Sequence, residues 1–393
     1  MEDTKPSQTN KEQVLRGPVI KVMGLGGGGS NAVDRMIELG IPGVEFIAAN
    51  TDYQVLQSSQ APVKIQLGPQ LTRGLGAGGV HEVGYQAARE SRKDIENALR
   101  GADMVFLTAG MGGGTGTGAI ALAGEVARSL GAVTIAVVTT PFSFEMGRRQ
   151  KNAQEGLARL QPKTDTLIAI PNDRLLFVAP QNLPLETAFR LADDVLRQAV
   201  QGIAELVTQP GLINVDFAHV RNLMKRGGGA LMAIGHGTGE GKVVEAIEQA
   251  LKHPLLESIS LADAKGVIAN FSGGEDLSLY EVGEAIGHIR GLISEDVDVV
   301  MGLSQDDRMR ERAQVILIVT GLGAKSLADV MQGVEAIHTQ AEGLEALPDT
   351  KPSLPPVVEE SREVLAVDIL NDLDVPAFLR KRARVNVPAS ARA

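Results

Sequence analysis

The sequence predicts an α/β fold: a doubly wound parallel-sheet domain, then a smaller α/β domain, the two joined by a long central helix. Three observations predict it. Short apolar runs alternate with stretches of helical periodicity over the first half of the chain, the rhythm of a parallel sheet covered on both faces. Glycine-rich loops follow these runs, at the strand ends where open α/β sheets take their ligands. One unbroken amphipathic stretch then leads to a second set of strands with a different rhythm.

The elements follow in order. Residues 1–17 are polar and lack apolar periodicity, so they read as a disordered extension. "VIKVMGL" (19–25) is an apolar strand that runs into glycines. "VEFIAAN" (44–50), "DMVFLTA" (103–109), "VTIAVVT" (133–139) and "TLIAIP" (166–171) are further runs of β-branched and small apolar residues. Helical patterns lie between them, over 31–39, 83–100 and 117–130. This first domain covers 18–185. Phe189, Ala192, Leu196, Ala199, Ile203 and Leu206 then recur three and four residues apart, one face of a helix over 186–208. "QPG" (209–211) ends it. In the second domain, 209–323, the strands are "ALMAIGHG" (230–237), "GVIANFSG" (266–273), "VDVVMGL" (297–303) and "AQVILIVTG" (313–321), with helices near 240–252 and 278–291. A proline- and acid-rich stretch, 324–367, reads as a flexible linker. It leads to a short segment with apolar anchors and a basic end, 368–385, and a tail, 386–393.

Composition narrows the function. Hydrophobic residues make up 44% of 393, enough for a sizeable core, but aromatics are 3% and tryptophan is absent, so that core is aliphatic. A net charge of −10 argues against general nucleic-acid binding. The lack of cysteine excludes disulfides, thiolate catalysis and cysteine-held metals. Six scattered histidines form no H-x-x-x-H pair, so no zinc site is expected. No apolar run reaches membrane-spanning length, so direct membrane insertion is not expected. The N-terminal residues lack the apolar centre of a signal peptide, and a cytoplasmic location is expected.

The chemistry sits in the loops. Five of the seven residues from Gly112 to Gly118 are glycine and the other two are threonine. Such a backbone lets N–H groups curl around an anion. No lysine follows Gly118, so this is not a Walker A loop. Thr115 and Thr117 could donate hydroxyl hydrogen bonds to phosphate oxygens. In "GLGGGGSNAV" (24–33), Gly24, Gly26 and Gly29 satisfy G-x-G-x-x-G, with Asp52 at the end of the next strand. That is a weakly specific dinucleotide fingerprint or a tight turn. Two anion-binding helix starts on one sheet edge suit a di- or triphosphate. The third loop, "RGLGAGG" (73–79), contains Ala77 and Gly78; it closes over the terminal phosphate or is a flexible surface loop. Asp52 could hold a magnesium-bound water, or sit in an ordinary turn. Glu145 and Arg149 could meet ribose and phosphate or form a surface salt bridge. Asn172 and Asp193 are candidates for reading a base; an aspartate accepts the two donors of a guanine edge.

These residues resemble a known family. "GGGTGTG", "GGGGSNAV", "NTD", "PFSFE" and "GLINVDFAHV", in this order, are similar to FtsZ, the bacterial tubulin relative of the division ring. The likeness spans about 18–323 and the terminal peptide "DLDVPAFLR". It implies a tubulin/FtsZ-like fold and a GTPase with GTP or GDP, accompanied by Mg2+, held between subunits stacked head to tail at mid-cell. It implies that Gly27, Gly28 and Asn31 touch phosphates and that Gly114, Thr115, Gly116 and Thr117 cradle them. Thr139, Glu145 and Arg149 would meet the sugar and phosphate region, and Asn172 and Asp193 the guanine. The loop 214–220, with Asn214, Asp216 and His219, would complete the neighbour's site. Asp374, Val375, Pro376, Phe378 and Leu379 would dock on membrane tethers and regulators.

The chain departs from the family pattern in three places. His219 stands where the family has a second acid, "GAGGVHE" (76–82) replaces "GAGANPE", and the glycine after "FE" comes one place late, at Gly147. His219 opens an alternative, a GTP-binding filament scaffold with weak or no hydrolysis. A nicotinamide-dependent oxidoreductase would use G-x-G-x-x-G and Asp52 but leaves the second glycine loop without a role.

Overall fold

A computed structural model of the chain describes residues 17–145, 147–176, 183–208, 215–226, 228–254, 256 and 261–322. The strands are β1 (Ile20–Leu25), β2 (Val44–Asn50), β3 (Val63–Gln66), β4 (Met104–Gly110), β5 (Val133–Thr140), β6 (Thr166–Pro171), β7 (Gly228–Thr238), β8 (Gly266–Gly273), β9 (Asp298–Gln305) and β10 (Arg312–Leu322). They form one sheet in the order β3-β2-β1-β4-β5-β6-β7-β10-β8-β9. The first six are parallel and doubly wound, with the order reversing between β1 and β4. β7 continues them in parallel through Thr166–Gly228, Leu167–Gly229 and Ile168–Ala230. Only β10 runs the other way, between β7 and β8. The other nine strands therefore end on a common edge.

The helices are α1 (Gly26–Leu39), α2 (Tyr53–Ser58), α3 (Pro69–Thr72), α4 (His81–Glu90), α5 (Arg92–Leu99), α6 (Thr115–Ser129), α7 (Arg148–Leu160), α8 (Asn172–Leu176), α9 (Leu185–Thr208), α10 (Phe217–Lys225), α11 (Lys242–Leu251) and α12 (Leu279–Arg290). On one face of the sheet, Ala87, Ile95, Ile120, Leu157, Ile247 and Ile289 from α4 to α7, α11 and α12 join the core. On the other, Val33 and Met36 of α1 pack with Leu196, Val200 and Ile203 of α9 and Leu223 of α10. The core is aliphatic as composition requires; Phe106, Phe142 and Phe271 are its largest buried side chains. α9 lies directly on the sheet because it carries no side chain at Gly202. A Cβ there would come within 2.7 Å of the Ile316 side chain.

Three expectations need correction. The stretch 83–100 is two helices, broken at Ser91. Its hydroxyl donates to the Gln66 carbonyl and accepts the Gly68 N–H, both at 3.1 Å, so the break anchors the end of β3. The first helix begins at Gly26 and not at 31, because its glycines form its opening turn. The third glycine loop follows α3 and not a strand.

Candidate functional site

The order reversal between β1 and β4 places two loops side by side: Leu25 into α1, and Gly110 to Gly114 into α6. Neither helix start has a side-chain cap, so the first-turn N–H groups of both are left for a ligand. The glycines divide into two kinds. A Cβ at Gly24 would stand 2.2 Å from the Gly29 carbonyl oxygen, and one at Gly29 2.4 Å from that of Thr108. These two let strand and helix backbones touch. At Gly27 and Gly113 a Cβ would meet nothing within 4 Å. Those residues face a cleft of about 370 Å³.

The cleft collects Gly27, Gly28 and Asn31 of α1, Gly114 before α6, Thr115 and Gly116 of α6, Thr139 of β5, Glu145 of the turn after it, Arg149 of α7, Asn172 of α8 and Asp193 of α9. Where the two glycine loops line it, Gly27, Gly28, Gly113, Gly114 and Gly116 make its walls largely backbone. At the middle, Glu145 accepts the Phe142 N–H at 3.0 Å and pairs with Arg149. At the far end α8 brings Asn172, 5% exposed, whose Oδ1 has no hydrogen-bond partner among the described residues. α9 brings Asp193 beside it. Burial pushes the Asp193 carboxyl up from 3.8 to about 7; Arg35 opposes the rise and Asp194 adds to it. The Asn172 Oδ1 and the Asp193 carboxylate, when ionised, are acceptors that fit a ligand edge offering adjacent N–H groups, as guanine does. Phe189 was not among the sequence candidates. It lines this end from α9, 39% exposed, with its ring edge-on to Phe142 at 5.4 Å. It leads the apolar stripe of α9, and its place one turn before Asp193 was the available signal.

Four predicted residues stand outside the lining. Thr117 is buried and its hydroxyl accepts the Gly112 N–H at 2.8 Å, closing the loop on itself. Asp52 caps α2, its Oδ1 accepting the Gln54 and Val55 N–H groups at 2.9 and 3.1 Å. Ala77 and Gly78 belong to the third loop, which rests on the second: a Cβ on Gly114 would meet the Ala77 Cβ at 2.9 Å. α7 holds this loop from outside. Asn152 donates to the Gly79 carbonyl at 3.1 Å, and His81, in the segment that departs from the family pattern, meets Glu155 at 2.9 Å.

Asp216 and His219 lie on the opposite edge of the sheet. α9 leaves the cleft at Asp193 and ends at Thr208, which packs on Gly43 at the start of β2. That is about 22 Å of helix. Asp216 then caps α10, accepting the Ala218 N–H at 2.9 Å. The Met224 carbonyl of α10 accepts from Thr166 at the start of β6, and Arg226 pairs with Asp298 at the start of β9. Asp216 and His219 are both exposed, three residues apart, at a shallow cavity of about 400 Å³. Asn214 and the peptide residues Asp374, Val375, Pro376, Phe378 and Leu379 lie outside the described residues.

The fold and the cleft define a doubly wound α/β protein with a glycine-walled cleft where its strand order reverses. The Tubulin/FtsZ family, GTPase domain, matches residues 19–180, and the FtsZ family, C-terminal domain, matches 228–323. An empty FtsZ dimer from M. jannaschii is 43% identical at a TM-score of 0.75, over 79% of this chain and 89% of that one. A tryptophan-to-tyrosine variant of the same FtsZ gives 43% and 0.75, over 78% and 92%. A GTPγS-bound protofilament of CetZ2 from Haloferax volcanii shares the fold at 18% identity and a TM-score of 0.69, over 82% and 99%. The chain belongs to the FtsZ family. Among the described residues no helix is long and apolar enough to cross a membrane.

Proposed function

We propose that the chain binds GTP in the cleft, stacks head to tail into filaments, and hydrolyses GTP where a neighbour's Asp216 reaches the nucleotide. The opening turns of α1 and α6 hold the phosphates through their N–H groups, with the Thr115 hydroxyl beside them. Glu145 and Arg149 meet the sugar and phosphate region, Phe189 offers a ring face to the base, and Asn172 and Asp193 accept its N–H groups. Asp52, next to Thr51 and with its Oδ2 not used in capping, would hold a water of a Mg2+ accompanying the triphosphate, a cation that would spread the phosphate charge.

The carrying observation is the placement of Asp216 and the cleft on opposite edges of one sheet. No single molecule can bring them together, whereas stacked molecules do so at every junction. There Asp216, with His219 one helical turn on and Asn214 two residues earlier in the sequence, polarises the attacking water. The dimeric FtsZ and the CetZ2 protofilament support self-association. In the cell, such filaments would form the cytoplasmic division ring, tethered at mid-cell through 368–385.

GTP-dependent sedimentation with parallel phosphate release tests this. Turnover per molecule should be near zero below the assembly concentration and rise above it. Asp216→Ala should assemble with GTP but not turn it over. Turnover proportional to protein from the lowest concentration, or an active Asp216→Ala, would overturn the reading. A second reading rests on His219, an exposed imidazole one helical turn from Asp216: a scaffold that assembles on GTP with little hydrolysis. Pelleting without phosphate release would favour it.

A further inference from the structure

Thr51 has no role in the site as described, yet it touches two of its loops. It is fully buried. Its hydroxyl lies 2.5 Å from that of Thr115, the first residue of α6. Its carbonyl accepts the Gly76 N–H and the Thr72 hydroxyl, both at 3.3 Å. Two residues on, the Tyr53 N–H donates to the Gly74 carbonyl at 3.0 Å, and Asp52 bridges to Leu75. The segment 51–53 thus carries the third loop as an antiparallel partner, and its one buried hydroxyl reaches the second.

Either hydroxyl of the Thr51–Thr115 pair can donate. An anion in the cleft removes that freedom. Thr115 must give its proton to the anion, so its lone pair must accept from Thr51. The chain then runs from Thr51 to Thr115 to phosphate, each bond polarising the next.

Resting on the GTP reading above, we propose that Thr51 is a positioning residue for the terminal phosphates. Its hydroxyl turns the Thr115 proton into the cleft, while its carbonyl holds the third loop in register with the same anion. The phosphate end is thereby coupled to Leu75, an apolar side chain 84% exposed on the rim.

The test is calorimetric binding of GTP and GDP to full-length protein, with Thr51→Val, Thr51→Ser, Thr115→Val and the Thr51→Val/Thr115→Val double variant. Thr51→Val should weaken GTP about fivefold, the size of one net hydrogen bond, and Thr51→Ser should restore most of it. In the Thr115→Val background the same change should have no further effect, because the hydroxyl it acts through is gone. A purely structural threonine would add its cost in both backgrounds. Thr51→Ala serves where valine disturbs the nucleotide-free melting temperature. Wild-type affinity in Thr51→Val, or additive losses in the double variant, would overturn the proposal. A wild-type protein with no affinity for either nucleotide would instead overturn the GTP reading on which it rests.

Discussion

Replacing Asp193 with asparagine should stabilise the empty protein while weakening its hold on guanine nucleotide. The carboxyl is pushed by burial from 3.8 to about 7. Between those values the folded chain binds a proton that the unfolded chain does not. Wild-type stability from this group is therefore present below about pH 4 and lost as pH rises to about 7. The difference, 7 − 3.8, is about three pH units, or roughly 4 kcal/mol. Water at the mouth of the cleft screens a partly exposed carboxylate, which leaves about 2 kcal/mol. Asparagine resembles the protonated acid and carries no such cost. Urea unfolding of nucleotide-free protein should show Asp193→Asn ahead by that amount at pH 8.5, with the gap closing towards pH 4. The same variant should bind GTP about a hundredfold more weakly, because a charged acceptor is lost. In the wild type, GTP affinity should fall roughly tenfold per pH unit below 7, since binding requires the ionised carboxylate. An Asp193→Asn protein no more stable than wild type at pH 8.5 would refute the burial argument. Undiminished GTP affinity would refute the assignment of Asp193 to the base.

Two glycine substitutions should separate folding from binding. Gly118→Ala puts a Cβ 2.0 Å from the His81 carbonyl oxygen, between α4 and α6; thermal unfolding should show a loss of about 3 kcal/mol or more. A Cβ from Gly27→Ala meets nothing within 4 Å among the described residues, so the variant's melting temperature should stay near wild type while GTP affinity drops at least tenfold; unchanged affinity would remove Gly27 from the site. His219→Asp should raise GTP turnover, because a second carboxylate then stands one helical turn from Asp216 to polarise the water. Equal rates in phosphate-release assays would end that role.

The sequence was most legible where burial is two-sided. The runs 44–50, 166–171 and 266–273 match β2, β6 and β8 residue for residue, since these strands are covered on both faces over most of their length and are largely apolar there. β3 went unread: only Ile65 of "VKIQ" is buried, and an edge strand needs no more. The break at Ser91 was hidden because helical periodicity runs through it; what splits the helix is a contact to distant residues. Periodicity placed the amphipathic α9 within one residue at its start. Of the site, the phosphate-facing glycines were visible as composition, but their division into ligand-facing and backbone-packing kinds was not. That division depends on what lies across from each, as the carbonyl of Thr108 does from Gly29. Thr117 shows a related ambiguity: a hydroxyl in a glycine loop has two audiences, the ligand and the loop's own N–H groups, and its oxygen accepts the Gly112 N–H. Thr51 carries no sequence signal for its contact with Thr115, 64 residues away.

The cleft and Asp216 occupy opposite rims, and that placement has an arithmetical result for any row of stacked molecules. If molecules stack as proposed, a row contains one fewer finished catalytic centre than it has members: a lone molecule has none, a pair has one between them, and only long rows approach one apiece. The end member with the uncovered cleft would then keep its nucleotide intact until another joined it, and chain length would throttle consumption.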